Sequence, residues 1–177
     1  LREIAALGPA YWFVVAVGAV FTLARFSEAF LILRADSVGL AASWVPLILV
    51  TMNVAYALTA YPVGALSDRL GRMGLMAAGL ATLIVADLVL AAAANAWLVC
   101  AGAALWGTHM GFTQGILATL VADTAPVDYR GTAFGLFSLV SGLATLAASL
   151  LAGWLWARIG APATFVAGAG FAAAALA

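Results

Sequence analysis

Gly64-Ala65-Leu66-Ser67-Asp68-Arg69-Leu70-Gly71-Arg72-Met73 places three charges within five residues, between two long apolar runs. In a chain with seven Arg, no Lys and seven acidic side chains, such a concentration marks a turn in water between two lipid-embedded segments. The surrounding composition agrees: 67% of the 177 residues are hydrophobic and 8% charged, against about 45–50% and about 25% in a soluble domain. Backbone groups in lipid are satisfied only by helices or closed barrels. Apolar runs this long lack the two-residue alternation of barrel strands, so the spans are helices.

A crossing needs about 20 apolar residues. That ruler predicts six spans, over 9–33, 44–64, 73–93, 97–120, 131–156 and 161–177. Ser43 is expected to cap the second with Pro46 in its first turn, Asn95 the fourth and Asp128 the fifth, with Pro162 opening the sixth. Six crossings put both termini on the side of the Gly64–Met73 loop, with Arg2, Arg69, Arg72 and Arg130, while Arg34 and Arg158 fall opposite. The positive-inside rule then makes the termini cytoplasmic.

Sliding the loop along the chain aligns Gly64-x-Leu66-x-x-Arg69-Leu70-Gly71 with Gly153-x-Leu155-x-x-Arg158-Ile159-Gly160. Three spans separate the copies, so they lie on opposite faces, which predicts a 3+3 inverted repeat: 1–93 and 94–177 as two three-helix units of one six-helix bundle. Chance similarity of two membrane turns is the competing reading.

Gly64, Asp68, Arg69, Gly71 and Arg72 resemble the signature loop of the major facilitator superfamily, G-x-x-x-D-R-x-G-R-R/K, which joins the second and third helices of each six-helix half; Met73 departs where a second basic residue is usual. Arg130-Gly131-Thr132-Ala133-Phe134-Gly135 is similar to the start of the eleventh helix of that family, and Arg25-Phe26-Ser27-Glu28-Ala29-Phe30 resembles the seventh. The resemblance implies an all-α integral membrane protein of six transmembrane helices, half of a major facilitator fold, equivalent to helices seven to twelve. It further implies an N-terminal half outside this sequence, and secondary transport of a small solute by alternating access in a bacterial inner membrane. The loop is expected to act as a conformational switch against that other half; a turn that only fixes topology is the alternative. By the loop's own chemistry, Asp68 is placed near the start of the third helix, where an anion is favoured.

Ionisable groups in a span are costly and therefore functional candidates. Arg25 and Glu28 are expected on one face of the first span, as a proton or substrate site or as a fixed ion pair. His109 is either a proton-coupling group or a neutral hydrogen-bonding one, and Asp87 is expected in a structural hydrogen bond. Asn53 and Tyr56 share a face of the second span, and Gln114 sits one turn from Met110 on the fourth, beside Gly107, Gly111 and Gly115, which read as close helix packing. The cavity candidates are thus Arg25, Glu28, Asn53, Tyr56, His109 and Gln114. The sixth span, nearly all Ala, Gly and Phe, reads as a lipid-facing support.

No catalytic pair, phosphate loop or metal-ligand spacing is present, so neither an enzyme nor a cofactor or metal is expected, and the zero net charge gives no reason to expect nucleic acid. The expected partners are the lipid bilayer, a small-molecule substrate, a proton and the N-terminal six-helix half, possibilities that include antiport. The alternative function is a non-transporting membrane assembly module that associates with another six-helix chain through the glycine strips.

Overall fold

The computed structural model describes residue 4 and residues 6–176, without the side chains of Asp68, Arg69 and Leu70; Arg2 lies outside the described residues. Its helices are α1 (Pro9–Leu23), α2 (Ala29–Ser37), α3 (Pro46–Leu70), α4 (Arg72–Ala92), α5 (Ala96–Thr124), α6 (Arg130–Arg158) and α7 (Ala161–Leu176), with a 3₁₀ turn at Val127–Tyr129. Among the described residues there is no strand. Pro46–Ser67, Arg72–Ala92 and Val127–Arg158 are each long and apolar enough to cross a membrane, and Pro9–Leu23 and Ala161–Leu176 are shorter apolar helices. With α1 and α2 forming one broken column, the six predicted spans stand as six columns.

The ends follow local chemistry in some places and not in others. Asn95 caps α5, its Oδ1 accepting from the Leu98 N–H at 3.0 Å. Pro46 opens α3, but the N-cap is Val45 without a side-chain bond, so Ser43 does not cap it. Nor does Asp128 cap α6, whose N-cap is Tyr129. Gly71 alone separates α3 from α4, so Asp68 falls in the last turn of α3 rather than at the start of α4. Gly71 and Gly160, the final glycines of the two aligned octets, both have positive φ, 79° and 120°. A side chain disfavours that conformation, which here turns the chain from one helix straight into the next.

Two sets of contacts dominate the packing. The first is α3 on α5, where a Cβ on Gly107 would lie 2.0 Å from the Met52 carbonyl oxygen, and one on Gly111 would lie 2.7 Å from Thr59 Cβ. The second is α4, which packs on both α5 and α7. Gly102 receives Leu90, and Gly79 receives Thr113 and Phe112, so both glycines let α4 and α5 approach closely. On the other flank α1 packs on α6, where the buried Tyr11 hydroxyl donates to the Ala133 carbonyl at 2.8 Å. The sixth span is not only a lipid-facing support: Thr164, Phe165, Gly168, Ala169 and Ala172 of α7 are buried, with Gly168 against Asp87 of α4.

Candidate functional site

The first span is not continuous. The helix stops at Leu23 and restarts at Ala29, leaving Ala24–Glu28 as a break inside the bundle. The break is stabilised from outside and within: the Ser27 N–H donates to Ser149 Oγ on α6 at 3.1 Å, and the Ser27 hydroxyl oxygen accepts from the Ala29 N–H at 3.3 Å. Phe26 is driven into the core, its ring centroid 5.3 Å from Trp106, 5.1 Å from Phe30 and 5.5 Å from Phe165. The expectation that Arg25 and Glu28 share a helix face therefore fails, because both belong to the break or its rim. They do not form a direct ion pair either: among the described residues the one salt bridge within 4 Å is Arg72–Asp123.

What the break achieves is to place Arg25 between two cavities. One, of about 200 Å³, is lined by Arg25, Phe26, Ser27, Glu28 and Thr145. The other, of about 50 Å³, is lined by Phe21, Thr22, Arg25, His109, Thr113, Gln114 and Leu117. Four of the predicted residues, Arg25, Glu28, His109 and Gln114, are thus brought together around one guanidinium.

His109 is buried, with Nδ1 2.8 Å from the Gly79 carbonyl oxygen. A carbonyl only accepts, so Nδ1 carries a proton and Nε2 is left as an acceptor in the neutral ring. The close approach at Gly79 sets this bond up, and Thr113 Oγ1, donating to the His109 carbonyl at 3.0 Å, fixes the same turn.

The two candidates on α3 stand apart. Tyr56 lines a separate groove of about 300 Å³ between α3 and α5, with Gly64, Ser67, Arg72, Gly111 and Gly115. Asn53 is exposed, and its Nδ2 donates to the Leu49 carbonyl of its own helix at 2.8 Å. In the Gly64–Met73 loop, Arg72 reaches across to Asp123 at the end of α5, 2.5 Å away. Gly64 and Gly71 have no atoms where a Cβ would go. The side chains of Asp68 and Arg69 lie outside the described residues.

Sequence reasoning missed several groups. Asp123 is the partner of Arg72, and its only signal was its place at the end of a span. Arg34, by sequence only a topology charge, is buried and donates to three carbonyls at the C-terminal end of α4: Leu90 at 2.9 Å, Ala91 at 3.2 Å and Ala93, just past the helix, at 2.7 Å. It thus acts as a cationic C-cap supplied by another helix. Asp87 has no hydrogen-bond partner for either oxygen, so the expected structural hydrogen bond is not made. No group of three or more His, Cys, Asp or Glu among the described residues could hold a metal ion.

Comparison with known proteins shows the family of the chain. The family model described as Major Facilitator Superfamily matches residues 13–177. An uncharacterized MFS-type transporter of Methanocaldococcus jannaschii is 35% identical over 158 residues, covering 86% of this chain and 39% of that protein. An uncharacterized protein of Mycobacterium tuberculosis is 32% identical over 117 residues, 66% of this chain and 28% of the relative. A glucose transporter of Staphylococcus epidermidis, GlcP, is 31% identical over 100 residues, 52% of this chain and 22% of the relative. The chain therefore spans well under half the length of these relatives.

Proposed function

The chain belongs to the Major Facilitator Superfamily, and on that premise we propose that it forms the C-terminal six-helix half of a secondary transporter that moves a small solute by alternating access. The observation that carries this reading is the broken first column. Its five-residue gap sets Arg25 between two cavities, with Glu28 and Thr145 on one side and His109, Thr113 and Gln114 on the other. Irregular backbone at membrane depth is tolerated where it lines a cavity, and half-helix ends facing a central site bind solutes in many transporters. In this reading the Arg25 guanidinium and the Gln114 amide hold polar groups of the solute. Glu28, close to Arg25 but not paired with it, takes and releases a proton as the cavity changes its exposure. The neutral His109, with Nδ1 held by Gly79, offers Nε2 as an acceptor.

The other parts of the bundle have matching roles. Within their apolar windows α3 is 17% and α6 only 6% buried, against 44% for α4, which leaves α3 and α6 with free faces for the N-terminal half. Asn53 on α3 belongs to such a face. The Gly64–Met73 loop lies on the cytoplasmic side of a bacterial inner membrane, and Arg72–Asp123 ties α4 to α5 there. The inverted repeat is supported by the paired glycines of positive φ, Gly71 and Gly160, and by the packing of α3 on α5 and of α6 on α1, contacts that such a symmetry interchanges. The similarity to a glucose transporter favours a small polar solute. Family membership points to transport rather than catalysis.

The test is transport by the full-length protein in liposomes with an imposed pH gradient. Glu28→Gln should abolish gradient-driven flux while leaving solute exchange at equal pH intact. Unchanged gradient-driven flux would remove Glu28 from the mechanism, and intact bundle assembly with no solute movement under any gradient would favour the assembly-module reading.

A further inference from the structure

Away from the Arg25 cavities, two buried polar groups of opposite character have no partner: the Asp87 carboxyl on α4, which is 0% exposed, and the indole Nε1–H of Trp106 on α5, also 0% exposed. They stand at the same depth. Gly102 meets Leu90 and Gly79 meets Thr113 across the antiparallel α4–α5 contact. Stepping back three residues from Leu90 to Asp87 is therefore matched by stepping on three from Gly102 to Leu105, the neighbour of Trp106.

Phe26, from the helix break, is packed against both. Its ring centroid is 5.3 Å from the indole. Phe26 Cε1 and Asp87 Oδ2 also border a single point above Gly168 on α7, 2.9 and 2.6 Å from where a Cβ would sit. A donor and an acceptor are thus each left idle around one phenyl ring. That ring has somewhere to go, because Phe26 and Gly168 also form part of the wall of an apolar cavity of about 160 Å³ between α6 and α7.

A buried carboxyl and a buried indole N–H without partners each cost free energy that pairing them would recover. Nothing packed against Asp87 alters that. α7 carries no titratable side chain. On α5, His109 is engaged with Gly79, and Cys100 lies five residues from Leu105, which stands level with Asp87. Arg25 and Glu28 line the cavity at the break, and the α2 guanidinium of Arg34 is committed to the carbonyls at the C-terminal end of α4. On α4 itself the other ionisable group is Arg72, at the opposite end and paired with Asp123.

We propose that Asp87 is a proton-binding site of the bundle, protonated while Phe26 separates it from Trp106 and ionised when Phe26 withdraws and the indole N–H reaches the carboxylate. The chemistry is one proton released to water, leaving a carboxylate that accepts from Trp106 Nε1–H, with no other bond made or broken. The site is separate from Glu28, and its readout does not depend on which solute is carried.

Infrared difference spectra of the full-length protein in liposomes, recorded across a pH series, should contain a neutral-carboxyl band that fades as pH rises and is missing from Asp87→Asn. Trp106→Phe keeps an aromatic ring but removes the donor, so the band should persist to higher pH than in the unaltered protein. If Asp87→Asn does not fold, Asp87→Glu assigns the band by shifting its frequency. A band assigned to Asp87 that ignores pH, the absence of any such band, or a titration unchanged by Trp106→Phe each overturns the proposal.

Discussion

Replacing Gly107 by Ala separates packing from propensity more sharply than any other single change in this bundle. A methyl at Gly107 would sit 2.0 Å from the Met52 carbonyl oxygen, 2.9 Å from its carbon and 3.1 Å from the Tyr56 nitrogen, all of them backbone atoms of α3. Real Cβ contacts essentially never fall below 3.0 Å, so α3 and α5 must part by at least 1 Å, and no side-chain rotation relieves it. Overpacking of this kind costs typically about 1–3 kcal/mol, and the upper end applies because the next turn is also tight, with Gly111 against Thr59 and Ala60. At Gly115, one further turn along the same strip, nothing lies within 4 Å. There Ala only improves helix propensity, a gain of about 0.5–1 kcal/mol. The two variants therefore differ by about 4 kcal/mol. At about 2–4 °C per kcal/mol for a chain of this size, Gly107→Ala should melt on the order of 10 °C below Gly115→Ala. The assay is thermal unfolding of the detergent-solubilised protein, followed by loss of the monodisperse peak in size-exclusion chromatography. Equal melting temperatures, or a lower one for Gly115→Ala, would refute the α3–α5 backbone contact.

Two further substitutions probe the ends of the helices. Arg34→Ala should destabilise by about 3 kcal/mol, since it strips charge-assisted bonds from the Leu90, Ala91 and Ala93 carbonyls at the C-terminal end of α4. Arg34→Lys should recover less than half of the lost melting temperature, because one ammonium does not reproduce the guanidinium fork. At the opposite end, Arg72→Asp and Asp123→Arg should each change stability by under about 1 kcal/mol, the pair being 36% and 51% exposed. Each reversal should nonetheless alter thiol-reagent access to a cysteine placed at Ser67 in the adjoining groove, and the double reversal should restore it; independent effects in the double variant would deny the pair a switching role.

What the sequence made legible was the part of the fold governed by solvent. Apolar length gave six columns, and Asn95 announced the start of α5 because a side-chain oxygen after a polar turn has a purely local use. The break at Ala24–Glu28 was not legible, since it contains neither Gly nor Pro. Its cause is tertiary: Ser149, 122 residues away, takes the Ser27 N–H that a continuous helix would use. The glycine strip was legible as packing, but equal spacing could not tell Gly107 and Gly111, which meet α3, from Gly115, which faces an open groove. The candidate site was half legible. Arg25, Glu28, His109 and Gln114 converge, whereas Asn53 and Tyr56 have the right residue types on a helix that delivers them elsewhere. Asp87 was misjudged because its surroundings are set by Gly168 and Phe26, neither of which looks polar or close in sequence.

The single-residue connector at Gly71 has a kinematic consequence. α3 and α4 share one joint of two torsions, and α6 and α7 are coupled almost as tightly through Ile159 and Gly160. Displacement of α3 at that end must carry the start of α4 with it. The first column, by contrast, holds five non-helical residues in its interior. Slack in this bundle is therefore concentrated in the middle of one column rather than at its rims, so a pair of spectroscopic labels on the two sides of the break should register motion that labels flanking Gly71 do not.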